Sequence, residues 1–174
     1  LLSITLREDD ELIDVRLTDG QDNVVLVTSQ GACITFSEKD VRPMGRTAQG
    51  VIGIRLDNED YVIGMESIIE GNKNATLLAI TENGFGKRTD LDEYRVQTRG
   101  GKGVTTYKIT PKTGNLVGIR VATDDEDVML ITDNGTIIRL NVKDISILGR
   151  STQGVTLMRT NEGKVVSIET ISPE

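Results

Sequence analysis

Short apolar runs rich in β-branched residues alternate along the chain with polar, glycine-bearing turns, and no stretch sustains a helical period. Residues 24–28 form one such run, Ser29-Gln30-Gly31 breaks it, and residues 32–36 resume it. The same pattern recurs around Glu82-Asn83-Gly84, and again where residues 128–132 and 136–140 flank Asp133-Asn134-Gly135. Asn-Gly suits a tight hairpin because both residues accept positive φ, so these runs predict antiparallel hairpins. After each hairpin comes a polar link of about fourteen residues (37–50, 90–103 and 141–154). Each link ends at a glycine where a third predicted strand begins: residues 51–56, 104–109 and 155–160. A short polar turn leads to a fourth, at 61–65, 116–119 and 164–168. The only helical expectation is a single turn near residues 37–41, with Ser37 as its N-cap.

Self-comparison turns the pattern into a repeat. Thr28, Thr81 and Thr132 stand 53 and 51 residues apart, and three further columns keep that register. They are Gly31, Gly84 and Gly135; Arg46, Arg99 and Arg150; and Gly50, Gly103 and Gly154. Residues 1–17 read as the last two strands of an earlier copy, because Leu12-Ile13-Asp14-Val15 matches Val62-Ile63-Gly64-Met65. The expected division is closing strands of a preceding blade at 1–20 and blades at 21–72, 73–123 and 124–174. The fold class is all-β: propeller-like blades of four antiparallel strands, about 50 residues per repeat. WD-type repeats are shorter and carry a Trp-Asp pair absent here, and kelch repeats need more aromatic residues than the 3% present.

Composition narrows the chemistry. The chain has no histidine, which removes the commonest general base and most zinc chemistry, and no carboxylate pair recurs beside the glycine turns. One cysteine, Cys33, gives no disulfide framework and fits a reducing, cytoplasmic setting. There is neither an apolar run of membrane-spanning length nor a basic-then-apolar leader, and Leu1 in place of methionine suggests a piece of a longer chain. A net charge of −7 argues against a simple nucleic-acid binder, but the charge is unevenly spread. Between Phe85 and Lys108 six basic residues face three acidic ones, while acids gather at 8–11, 57–60 and 124–127.

The links carry the candidate site. Each has an apolar anchor at one register, Val41, Tyr94 or Ile145, expected to bury against a neighbouring blade. Each then ends in a basic turn: Gly45-Arg46-Thr47-Ala48-Gln49-Gly50, Thr98-Arg99-Gly100-Gly101-Lys102-Gly103 and Gly149-Arg150-Ser151-Thr152-Gln153-Gly154. Glycines can turn backbone N–H groups toward an anion, which nominates Gly100, Gly101 and Gly103; the plainer reading of such glycines is a bulge or tight strand entry. The cations on or beside the links are Lys39, Arg42, Arg46, Lys87, Arg88, Arg95, Arg99, Lys102, Arg139, Lys143 and Arg150. On an arc of blades they would line one face and bind a phosphate backbone without reading bases.

These turns, with Asp40-Val41-Arg42-Pro43-Met44-Gly45-Arg46 and Thr81-Glu82-Asn83-Gly84-Phe85-Gly86-Lys87-Arg88-Thr89, resemble the C-terminal domain of the DNA gyrase A subunit over essentially the whole chain. The resemblance implies a β-pinwheel whose neighbouring blades exchange strands and whose basic edge wraps double-stranded DNA. It implies as partners the rest of the A subunit and the B subunit of a type II topoisomerase that introduces negative supercoils. No cofactor is expected in this chain; ATP and magnesium would bind elsewhere in the holoenzyme. The family's Gln-Arg-Arg-Gly-Gly-Lys-Gly type box has its nearest counterpart in Gln97-Thr98-Arg99-Gly100-Gly101-Lys102-Gly103, with Thr98 at the second place. The register of that segment suggests the last three blades without the principal box. The strand-cutting tyrosine belongs to another domain, so Tyr61, Tyr94 and Tyr107 are expected to be structural. The A-type subunit of topoisomerase IV, whose domain is similar, and a protein-interaction scaffold are the alternatives.

Overall fold

Three hairpins set the frame, and one threonine column closes all three. The strands are Asn23–Thr28 (β1) with Ala32–Ser37 (β2), Ala75–Thr81 (β4) with Phe85–Asp90 (β5), and Asp127–Thr132 (β8) with Ile137–Asn141 (β9). In each turn the glycine N–H donates to the threonine carbonyl, at 3.1, 3.0 and 3.1 Å for Gly31, Gly84 and Gly135. The next residue's N–H donates to the threonine hydroxyl: Ala32 to Thr28 at 3.1 Å, Phe85 to Thr81 at 3.2 Å and Thr136 to Thr132 at 3.0 Å. Only the glycine takes positive φ (86°, 78° and 83°), so these are longer glycine-closed turns, not the Asn-Gly pairs at positive φ that the sequence suggested. The turn asparagines act through their side chains instead; Asn134 Oδ1 accepts from the Thr132 hydroxyl.

The computed structural model describes residues 3–69, 71–72, 74–161 and 163–172. The remaining strands are Val62–Ile68 (β3), Val104–Thr105 (β6), Leu116–Thr123 (β7), Val155–Thr156 (β10) and Val165–Ile171 (β11). The sheets run β3-β1-β2-β6, β7-β4-β5-β10 and β11-β8-β9. The short third strand of the second and third repeats therefore completes the sheet of the repeat before it: β6 pairs with β2 (Cys33 opposite Val104), and β10 with β5 (Gly86 opposite Val155). A sheet thus draws on two repeats, and consecutive blades are bound by backbone hydrogen bonds as well as by packing.

These exchanged strands are shorter than expected because two successive amides then converge on one acceptor. Thr106 and Tyr107 N–H both donate to the Gly31 carbonyl, and Leu157 and Met158 N–H to that of Gly84, which bends the chain out of the ladder. Residues 51–56 form no strand. They lie over the first sheet, where Gly53 faces Leu26 and Ile54 is buried. Residues 3–22 likewise form no strand; their apolar side chains, Leu17 among them, are exposed, and Arg16 ties them to the Met65 carbonyl and Glu66.

The core lies between sheets. Val25, Val27, Leu77, Ala79, Leu116 and Ile119 fill the first interface, and Leu78, Ile80, Val128, Leu130 and Ile168 the second. All of β4 is buried because its sheet is covered on both faces, so its sequence is a continuous apolar run rather than an alternating one. Each link begins with one turn of 3-10 helix; at Glu38–Asp40 the Ser37 hydroxyl accepts from Lys39 N–H, the expected cap. The links then run parallel to the edge of the preceding sheet (Gln97 N–H to Thr35 O at 2.7 Å, Leu148 N–H to Arg88 O at 2.8 Å) before turning back as β6 and β10. Tyr94 and Ile145 are buried between sheets as expected, whereas Val41 is 36% exposed, with no preceding sheet to cover it among the described residues.

Candidate nucleic-acid interface

The register arginines hold one position on successive interfaces. Arg99 donates from its Nη1 to the Ile52 carbonyl and from Nε to the Asp40 carbonyl at 3.2 Å. Arg150 donates from Nη1 to the Thr105 carbonyl at 3.0 Å. Ile52 and Thr105 are themselves one repeat apart, so each arginine reaches back to the same point of the preceding repeat. Both side chains are half-buried. A guanidinium has five N–H donors, so a carbonyl contact fixes it without exhausting it.

Around them stand the freely exposed cations. Arg42, Arg46, Arg95 and Lys143 face solvent, and Arg95 lines a shallow concavity with Asp40, Val96, Gln97 and Thr98. Lys102 is exposed with Asp57 3.2 Å from its ammonium, a surface pair that ionic strength readily loosens. Arg139 is exposed but held by Asp127, its Nε donating at 2.6 Å.

Five of the nominated residues, Lys87, Arg88 and the three glycines, make other contacts. Lys87 is fully buried; its ammonium donates to the carbonyls of Gly149 (2.7 Å) and Arg150 (2.6 Å) and to the Thr152 hydroxyl (3.1 Å), and it lies 5.0 Å from the centre of the Tyr107 ring. Burial draws its pKa down to about 8. Arg88 is 4% exposed and ties the third link inward, donating to the carbonyls of Ile145 and Lys143 and pairing with Asp124. Neither is placed to meet a phosphate: both sit on β5, which the third link covers.

Gly100 turns its N–H inward to the Gly53 carbonyl at 2.7 Å. Gly103 is at φ 74°, where an added Cβ would strike the Cys33 carbonyl. The plainer reading holds for Gly103: it lets an exchanged strand pass against the previous sheet. Gly101 presents its carbonyl to Arg55 N–H at 2.8 Å.

The sequence reading overlooked Glu93. Its carboxylate accepts the Arg150 N–H at 3.1 Å and lies 3.7 Å from the Arg150 Nε. A signal for the unusual lysine was present: the repeat register places Ile34, Lys87 and Ile138 in one column, a core position in which a lysine is foreign.

Comparison with known proteins agrees with this architecture. A family model described as the DNA gyrase C-terminal domain, beta-propeller, matches residues 2–19, 22–69, 75–123 and 126–172. The DNA gyrase A subunit of Staphylococcus epidermidis is 48% identical over 166 residues, covering 95% of this chain and 18% of that protein. The Staphylococcus aureus subunit is likewise 48% identical, and the chain spans 19% of it. Among solved structures, the C-terminal domain of DNA topoisomerase IV superposes with TM-score 0.92 at 30% identity, over 98% of this chain and 53% of that one. A DNA gyrase A C-terminal domain gives 0.91 at 25% identity, over 98% and 58%. The fold described above is thus shared with these domains.

Proposed function

The chain belongs to the family of DNA gyrase C-terminal domains, and on that premise we propose that it binds double-stranded DNA along its link edge and bends the duplex around the stacked blades. The observation that carries this reading is the repeated guanidinium anchorage, Arg99 on Ile52 O and Arg150 on Thr105 O, which sets like charges at like places on successive sheets. Arg42, Arg46, Arg95, Lys102 and Lys143 extend the track. Recognition is by phosphate and not by base, since the described residues offer only single 3-10 turns and no groove-reading helix. Bending a 20–30 bp site by 40–90° costs on the order of 1–6 kcal/mol, which several charge contacts on a curved edge offset.

The chain covers about a fifth of the subunits it matches, so the activity of the whole belongs to this proposal too. In it the domain serves a gyrase A subunit that works with a B subunit. ATP and magnesium bound elsewhere drive strand passage, and wrapping here sets its direction toward negative supercoils. Identity of 48% to gyrase A subunits favours gyrase over topoisomerase IV.

The test is binding of a labelled duplex across a salt series. Each phosphate contact contributes about 0.9 to the log–log slope, so replacing Arg42, Arg46, Arg95, Lys102 and Lys143 with glutamine flattens the slope by several units. A slope and affinity unchanged in the folded variant would remove the assignment.

A further inference from the structure

The third link turn contains a feature that the repeat does not require. Where Ile34 fills the core and Ile138 packs against it, Lys87 buries an ammonium with no carboxylate bonded to it among the described residues. Burying a lysine is unfavourable, and an isoleucine meets the packing need in the same column. What the lysine adds is direction. Every peptide bond described is trans, so a carbonyl and the N–H of the following residue point opposite ways. Lys87 draws the carbonyls of Gly149 and Arg150 inward. The N–H groups of Arg150 and Ser151 therefore face outward, side by side, next to the Arg150 guanidinium.

The second turn is fixed by other means. There Gly100, at φ 81°, pins itself through its own N–H to Gly53 O. Ser151 occupies the equivalent place and has no such bond to Thr106 among the described residues. Below the second turn lies the apolar Ile34, whose Cδ1 is 3.7 Å from where a Cβ on Gly101 would be.

An anionic group already sits at the outward face of the third turn: Glu93 Oε2 accepts the Arg150 N–H at 3.1 Å and is 3.7 Å from Nε. The Nε itself is buried without a hydrogen-bond partner among the described residues.

We propose that the third link turn is a built phosphate site, formed by the N–H groups of Arg150 and Ser151 and the Arg150 guanidinium, oriented from beneath by Lys87, and filled by the Glu93 carboxylate until a DNA phosphate displaces it. This rests on the DNA-wrapping reading and gives it a specific contact. Lys87 is a positioning residue: it meets the turn, not the ligand.

The test is a double-mutant cycle with Lys87→Ile and Arg150→Gln, read by duplex binding and thermal unfolding. Lys87→Ile is expected to fold at equal or higher stability, to bind about tenfold more weakly, and to lose about 0.9 from the salt slope, as one charge-assisted contact is worth. Arg150→Gln should cost the same in the parent and nothing further once Lys87 is replaced. A folded Lys87→Ile that binds like the parent, or losses that multiply independently, would overturn the assignment.

A second readout needs neither substitution nor DNA. The charged and titratable groups facing Lys87 are Tyr107, Glu93 and Arg150. The amide resonances of Arg150 and Ser151 should shift together with a midpoint near pH 8 as the ammonium loses its proton. Resonances that stay fixed through that range would overturn Lys87's role even if Lys87→Ile fails to fold. Should the parent not bind DNA at all, the wrapping reading falls, and this titration still decides whether Lys87 holds the turn.

Discussion

Glu93→Gln is the sharpest perturbation the geometry offers, because it removes a competitor and leaves the scaffold. The carboxylate oxygen lies 3.7 Å from Arg150 Nε, with side-chain exposures of 41% and 30%. Coulomb's law at that distance gives about 1 kcal/mol in water and about 4 kcal/mol at an effective dielectric of 20. Measured exposed pairs fall at about 0.2–1 kcal/mol, and this half-exposed pair belongs at the upper end of that range. Glutamine keeps an oxygen to accept the Arg150 N–H, so the fold should lose less than about 1 kcal/mol. Without the carboxylate, a phosphate no longer has to displace an anion. Duplex affinity should rise by about fivefold, the equivalent of about 1 kcal/mol. Fluorescence anisotropy at several salt concentrations, with urea unfolding alongside, separates the two effects. Affinity unchanged or weakened at equal stability would refute the idea that Glu93 fills an anion site.

Other consequences follow from the same contacts. Gly154→Ala, at φ 71°, would place a Cβ 2.6 Å from the Gly86 carbonyl and against the Tyr107 hydroxyl, so it should lower stability by about 2 kcal/mol or more in urea unfolding. Cys33 is fully buried and its thiol is pushed up to about 12, so a thiol reagent at pH 8 should label it only as fast as the first interface opens. Lys87 holds its proton less tightly in the folded chain, near 8 against 10.5 unfolded, so the unfolded state binds more protons between those values. Lys87 should therefore add about 2 kcal/mol of stability between pH 7.5 and 9.5, read as the parent's change minus that of Lys87→Ile, because Cys33, whose thiol is raised on folding, acts in the opposite sense in both.

What was legible in the sequence was local. The threonine and glycine columns mark the hairpin turns because each closes its own turn through its own hydrogen bonds, and Ser37 caps its 3-10 turn for the same reason. The strand exchange is not written in any one stretch: Val104 finds its partner at Cys33, some seventy residues earlier. Residues 51–56 look like 104–109 in sequence, yet only the latter have a preceding hairpin to pair with among the described residues. The site was half legible for a related reason. Arg99 and Arg150 stood out as a column, but whether a cation on a strand faces water depends on what covers it. The third link covers β5, which turned Lys87 and Arg88 from expected phosphate contacts into supports of that link.

The central claim is that the edge curves DNA with a fixed hand, beyond merely holding it. Relaxing closed circular DNA with a nicking-closing enzyme in the presence of the protein, then removing the protein, measures this directly. The linking number should shift with one sign, by an amount that grows with protein added, and the shift should disappear when Arg42, Arg46, Arg95, Lys102 and Lys143 are neutralised. Circles that stay at the relaxed linking number while retardation shows them fully bound would contradict it.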